Sequence, residues 1–389
     1  MRILFTFAGG TGHFQPLRST AAAMATAGHE IAFGAQAAML PAIAEAGFHG
    51  FDTGGATIRA AATRAPLAAV DMAREYRSVS AGYAGRIARQ RATAIFDRAL
   101  SWRPDMLVCD ELDFGAMIAA ERLSIPYAVM LVIASGQLVR PEQLIEPLNE
   151  LRAEQGLPRD LTLAMLYRYL VLVPFPDSFR EPSYPLPVTA HAFRPATISL
   201  LDAAARRPDP NGRPLLYVTL GTIFNVESGD LFKRLLDGLR DLPVDIVATV
   251  GPQIDPAELG SQPANIRVER FIEHWELLPH AALVVSHGGS GTVFGALSHG
   301  VPLLLLPIGA DQPFNADRCE ALGVAQVLDP TTATPETIRD AAAALLANTA
   351  YRQAAERIRD EIAALPGQSL AIALLTRLAR ERAPIINRP

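Results

Sequence analysis

The sequence predicts an α/β protein made of two doubly wound domains, each a parallel sheet with helices on both faces. Three observations carry this. Short apolar runs rich in Val, Ile and Leu are each followed by a turn and then by apolar residues at helical spacing, the pattern of parallel strands buried on both faces. That grammar starts twice, at Arg2 and again at Leu215. Between the two starts, Pro174, Pro176, Pro182, Pro185, Pro187, Pro195, Pro208, Pro210 and Pro214 recur at a spacing through which helices and strands do not persist. The linker is placed at residues 195–213, with domains at 1–194 and 214–368 and a terminal helix and tail at 369–389. A chain of 389 residues is in any case too long for one ordinary core.

In the first half, Arg2–Phe7 reads as a central strand and Ala8-Gly9-Gly10-Thr11-Gly12-His13 as its turn. A helix follows with Leu17, Ala21, Met24 and Ala25 on one face, and Ile31–Gly34 begins strand two. Loops at the carboxyl ends of such strands face the ligand crevice, so His13 is the first candidate for chemistry. The plain alternative is a histidine that caps the turn. From Gly54 to Tyr83 the pattern suggests helices and loops, with Met72, Tyr76 and Tyr83 as its large side chains. Pro104–Asp110 is a strand that delivers Asp110 to the same edge, ahead of Glu111, Asp113 and a helix over Phe114–Leu123. An acid in this place also serves simply to cap the next helix. Ile125–Ile133 is a further strand, and Pro141–Tyr169 reads as helical with Leu144, Leu148 and Leu151 on one face.

The second half gives a strand at Leu215–Leu220, a Gly221-Thr222 turn and a helix at Asp230–Leu239, then strands at Val244–Val250 and Ile266–Val268. Val284 and Val285 end another apolar strand. His287-Gly288-Gly289-Ser290-Gly291-Thr292 follows and enters a helix that runs to His299. Three glycines let a ligand approach the backbone, and the first helical turn aims its amides outward. That arrangement binds anions, phosphate above all. Alone, it is also no more than a tight strand-to-helix connection. A strand at Val301–Pro307 leads to a loop bearing Asp311, Gln312 and Asn315, and helices at Asn315–Leu322, Pro335–Ala347, Tyr351–Leu365 and Ser369–Arg382 complete the chain.

Bulk composition narrows the partners. A net charge of −5 with dispersed basic residues, of which Lys233 is the single lysine, gives no footprint for nucleic acid. No apolar run approaches the ~20 residues that span a bilayer. Ile3–Ala8 runs straight into Gly9-Gly10, as a first strand does and a secretory signal does not. Cys109 and Cys319 read as buried free thiols, which fits a reducing cytoplasm.

The histidine before the glycines, the threonine that closes the turn and Asp311-Gln312 beyond the next strand together resemble the donor-binding signature of the GT-B glycosyltransferases. The resemblance is to the family that includes plant secondary-metabolite and actinobacterial antibiotic enzymes. Gly10-Thr11-Gly12-His13-Phe14-Gln15-Pro16-Leu17 is likewise similar to that family's first loop. The resemblance implies a GT-B fold, two Rossmann-like domains facing across a cleft, with the last helix crossing back to the first. It implies His13 as general base and Asp110 as the carboxylate that orients it, with Asp113 the alternative one turn on. Thr222, His287, Gly288, Gly289, Ser290, Gly291 and Thr292 would meet the donor diphosphate. Asp311, Gln312 and Asn315 would meet the sugar. Phe271, the Ile272 backbone and His274 would meet the base, with Trp275 the alternative platform. Glu273-His274 stands where the family has Pro-Gln, so the choice between dTDP and UDP stays open. The implied function is metal-independent, inverting transfer from a nucleotide-diphospho-sugar to a small hydrophobic acceptor, with no cofactor, by a cytoplasmic monomer or homodimer. A nucleotide-sugar binder without turnover, or another GT-B enzyme such as a nucleotide-sugar epimerase, is the alternative. A dinucleotide enzyme is not expected, because Ile31–Gly34 lacks the acid that binds ribose.

Overall fold

The computed structural model describes residues 1–57, 66–196, 212–221 and 224–387, with Phe224, His274 and Trp275 described by backbone only. Most of the expected linker, 197–211, and Thr222 therefore lie outside the described residues. The chain divides into two compact units. One comprises Met1–Arg59, Ala73–Thr197 and Leu365–Pro389, and the other comprises Ala60–Met72 and Ile198–Ala364.

The first unit is built on a seven-stranded sheet in the order β3-β2-β1-β4-β5-β6-β7. Its strands are β1 Arg2–Thr6, β2 Glu30–Ala35, β3 His49–Asp52, β4 Met106–Asp110, β5 Tyr127–Met130, β6 Leu170–Val173 and β7 Ala190–Ala192, all paired in parallel. Parallel strands covered on both faces must be apolar at every position, which is why β1 and β4 read as continuous runs. Ile3, Phe5, Phe7, Phe14, Leu17 and Phe33 form one cluster. Each fully buried Leu, Ile or Phe contributes roughly 1.5–3 kcal/mol. The helix Gln368–Glu381 adds Leu374, Leu375 and Leu378 to that same cluster, and Gln368 Nε2 donates to Thr20 Oγ1 at 3.0 Å.

The second unit has six parallel strands in the order β10-β9-β8-β11-β12-β13. They are β8 Leu215–Thr219, β9 Asp245–Thr249, β10 Ile266–Glu269, β11 Ala281–Ser286, β12 Leu303–Leu305 and β13 Ala325–Val327. Leu231, Leu235 and Leu239 of the helix Leu231–Leu239 are buried against Val218, Ile246 and Val285. The described part of Ala60–Met72 joins this unit through Leu67, which packs on that core.

Several expectations need correction. The helix that begins at Pro141 stops at Glu154 and does not reach Tyr169. Gly156 and Pro158 end it, and the Asp160 carboxylate instead organises a turn by accepting Ala164 N–H at 2.9 Å and Met165 N–H at 2.8 Å. A short strand, β7, survives in the proline-dense region because Val188–Arg194 holds no proline. The strands β3 and β13 and the helix Ala88–Trp102 carry no sequence signal of their own. No single helix among the described residues is long and apolar enough to cross a membrane.

Candidate functional site

Strands β1 and β4 are neighbours in register, so the loop after β1 and the end of β4 meet at one edge. There His13 Nδ1 lies 2.8 Å from Asp110 Oδ2, with the histidine side chain 19% exposed and the carboxylate fully buried. The same oxygen accepts Ala8 N–H at 3.0 Å, and Asp110 Oδ1 accepts Leu112 N–H at 2.8 Å. Three donors thus face this one carboxylate and hold it in place. With Nδ1 carrying the proton that faces Asp110, the basic lone pair of the imidazole is on Nε2. A Cβ on Gly9 would come within 2.2 Å of His13 Cδ2, so the ring rests directly on the backbone. Only glycine permits that approach.

Asp113 is not part of this pair. Its carboxylate takes a two-pronged bond from the buried Arg91, at 2.8 Å from Nε and 2.6 Å from Nη2, and also caps the helix Phe114–Leu123. Arg91 further donates to Thr53 Oγ1 at 2.9 Å and to the carbonyls of Gly34 and Gly54. The ion pair thus ties the helix Ala88–Trp102 to the ends of β2 and β3. Glu111 is also buried, its carboxylate accepting the amides of Val132 and Ile133 beyond β5. Burial raises its pKa to about 7, the Asp110 charge adds to this, and those amides and Arg180 oppose it.

Gln36, which the sequence reading passed over, also touches this loop. Gln36 stands at the end of β2 and its Nε2 donates to the Gly9 carbonyl at 2.7 Å. A polar residue at a strand's carboxyl end was the available signal. Tyr83 lies in a π-helix, Ser78–Ile87. Arg140 stacks over the Tyr76 ring at 3.9 Å from its centroid. Met72 opens the helix Met72–Arg77 ahead of these two tyrosines.

In the second unit the loop after β11 enters the helix Ser290–Leu297, with Gly289 at its N-cap. His287 is buried between two glycines. A Cβ on Gly221 would lie 2.7 Å, and one on Gly289 2.6 Å, from its Nε2. The amides of Ser290 and Gly291 sit in the first turn, where no intrahelical acceptor exists. Thr292 differs from the expectation, because its amide bonds Gly289 O at 3.0 Å. The Gly288 amide is 3.2 Å from Ser286 Oγ.

The first turn of the helix Gln312–Ala321, which starts three residues earlier than expected and has Asp311 at its N-cap, braces this turn. Asn315 is fully buried and its Nδ2 faces Gly288 O at 3.0 Å, Ser290 Oγ at 3.1 Å and Asp311 Oδ2 at 2.9 Å. Ser290 Oγ donates to that same Asp311 oxygen at 2.9 Å. Gln312 turns its Oε1 back to the amides of Ile308 and Gly309, at 2.8 and 3.1 Å. Asn315 therefore holds the loop from behind, and half-buried Asp311 is the member of the trio nearest solvent. At the end of β10, Phe271 is 55% exposed, Ile272 is half-buried and Arg270 is held by Asp255 at 3.0 Å. The side chains of His274 and Trp275 lie outside the description. Among the described residues, no three His, Cys, Asp or Glu side chains gather as a metal site.

Residues 233–375 match the family model of the erythromycin biosynthesis protein CIII-like C-terminal domain. The chain is 32% identical over 300 residues to 4'-demethylrebeccamycin synthase of Lentzea aerocolonigenes, covering 67% of this chain and 70% of that protein. It is 34% identical to demethyllactenocin mycarosyltransferase of Streptomyces fradiae over 166 residues, which span 43% of this chain and 36% of that relative. Among solved structures, the glycosyltransferase VinC in complex with dTDP superposes with a TM-score of 0.75 at 26% identity, covering 98% of this chain and all of that one.

Proposed function

This chain belongs to the GT-B glycosyltransferases of antibiotic biosynthesis, and from that premise we propose that it transfers a sugar from a nucleotide-diphospho-sugar to a hydroxyl of a small hydrophobic acceptor, with inversion. The dTDP bound in VinC supports dTDP as the donor's nucleotide, with UDP the alternative. The observation that carries the reading is the His13–Asp110 bond at the joined ends of β1 and β4.

A hydroxyl is a poor nucleophile until its proton has somewhere to go. His13 Nε2 takes that proton as the acceptor oxygen forms its bond to the anomeric carbon, and Asp110 stabilises the imidazolium that results. The bond from that carbon to the diphosphate breaks on the opposite face, so configuration inverts. The nucleoside diphosphate leaves with the electron pair. Its growing charge meets His287 and the amides of Ser290 and Gly291 at a helix N-terminus, in a turn that Asn315 holds through Gly288 O and Ser290 Oγ. Asp311 takes the sugar hydroxyls, and Phe271 offers its exposed ring to the base. Stabilisation by amides and histidine needs no metal ion.

The test is transfer from dTDP- and UDP-sugars to a panel of polyketide and aromatic aglycones in EDTA, with the anomeric configuration of the product read by NMR. An inverted glycoside formed at an undiminished rate in chelator is the expected result. A retained configuration, or sugar epimerisation without acceptor, overturns the proposal.

A further inference from the structure

We propose that Gln36 is a positioning residue for the transfer step, clamping the Gly9 carbonyl beside the His13 imidazole while Thr57 holds the Gln36 carboxamide in place. The inference rests on the reading of His13 as base. Gln36 follows β2 directly and is 3% exposed. Its Nε2 donates one hydrogen to Gly9 O at 2.7 Å and the other to Thr57 Oγ1 at 2.8 Å, while its Oε1 accepts Thr57 N–H at 3.0 Å. A primary amide supplies this pattern of two donors and an acceptor, and neither a carboxylate nor a thioether does.

The consequence is local and mechanical. The imidazole touches the Gly9 backbone with no Cβ between them. The adjoining residue, Ala8, gives its N–H to Asp110 Oδ2, the oxygen that also faces His13 Nδ1. The backbone of Ala8 and Gly9 is thus held at its N–H end by Asp110 and at its carbonyl end by Gln36. Releasing the carbonyl lets the floor under the ring tilt, and the bond to Asp110 lengthens. A misplacement of this kind near the reacting atoms costs up to about a hundredfold in rate.

The experiment compares the full chain and Gln36→Met by NMR with 15N-labelled histidine, the His13 signals being assigned by their loss in His13→Gln, alongside the pH profile of kcat. In the unaltered chain the neutral ring is expected as the Nδ1–H tautomer. In Gln36→Met the tautomers mix, the ring's apparent pKa moves, and kcat falls about ten- to a hundredfold while the donor KM holds. An unchanged tautomer and an unchanged kcat profile overturn the proposal, because a residue that only supports the fold would move neither. Should Gln36→Met not fold, Thr57→Val carries the test. It frees the carboxamide to rotate, so a partial tautomer change is expected and none contradicts the proposal. The spectra need no substrate, so the clamp is judged even if His13→Ala retains transfer and the base assignment itself fails.

Discussion

Asp110 Oδ2 stands 2.8 Å from His13 Nδ1 and 3.0 Å from the Ala8 amide, so one buried oxygen fixes both the ring and the loop that leads into its helix, Thr11–Thr26. Asp110→Asn keeps the shape but cannot accept at both oxygens. Either the Leu112 amide or the imidazole then faces an NH2 group. The expected outcome is a loss of about 100- to 10,000-fold in kcat, with dTDP affinity unchanged by calorimetric titration.

Gly289 has φ −64° and ψ 138°, a conformation open to any residue, so its absence of a side chain matters only for space. Gly289→Ala would put a methyl 2.6 Å from His287 Nε2 and push the ring aside. Affinity for dTDP should fall roughly tenfold, about 1.4 kcal/mol, with little change in melting temperature. Calorimetry and a thermal melt on the same sample check both halves.

Arg91 and Asp113 form a fully buried pair that touches no expected ligand group. Arg91→Met leaves the Asp113 carboxylate buried without its partner, which typically costs about 3–5 kcal/mol. Urea unfolding should show that loss, while dTDP affinity of the folded protein stays at its original value. A catalytic role for Asp113 predicts the reverse: stability kept and transfer lost.

Glu111 gives a signed pH dependence. Burial holds its carboxyl at about 7 in the folded chain, above the ordinary 4.5. Between those values the folded state keeps a proton that the unfolded state releases. Stability from this group is therefore complete below about pH 4.5 and is lost as pH rises to 7, a difference on the order of 3 kcal/mol. Glu111→Gln keeps an acceptor for the Val132 and Ile133 amides but has no proton to lose. Its stability should gain on the unaltered chain across that window, and parallel curves from denaturant titrations would contradict the assignment.

Elements that carry their own punctuation were legible from sequence. The helices Phe114–Leu123 and Pro335–Ala347 match residue for residue, because Asp113 and Thr334 cap them. Strands buried on both faces were also plain. What stayed hidden were elements defined by their neighbours. The three residues of β13 become a strand only beside β12, and the small-residue face of the helix Ala88–Trp102 is explained by Gly115, where a Cβ would lie 2.6 Å from Ala88 O. Within the site, His13 and Asp110 could be read because one stands in the first turn of the helix that follows β1 and the other ends β4. Asn315 was expected to face a sugar, and nothing in its own segment reveals that the side chain, on the first turn of the helix Gln312–Ala321, turns inward to hold Ser290 and Asp311. The position of Gln36 at the end of β2 was a signal in the sequence, but its partners Gly9 and Thr57, distant along the chain, were not.

One measurement bears most directly on the central claim that His13 is the base for sugar transfer. It is dTDP affinity and transfer rate, taken together, for His13→Ala. The account predicts unchanged dTDP affinity with transfer reduced about 100- to 10,000-fold. Transfer at the original rate would contradict it.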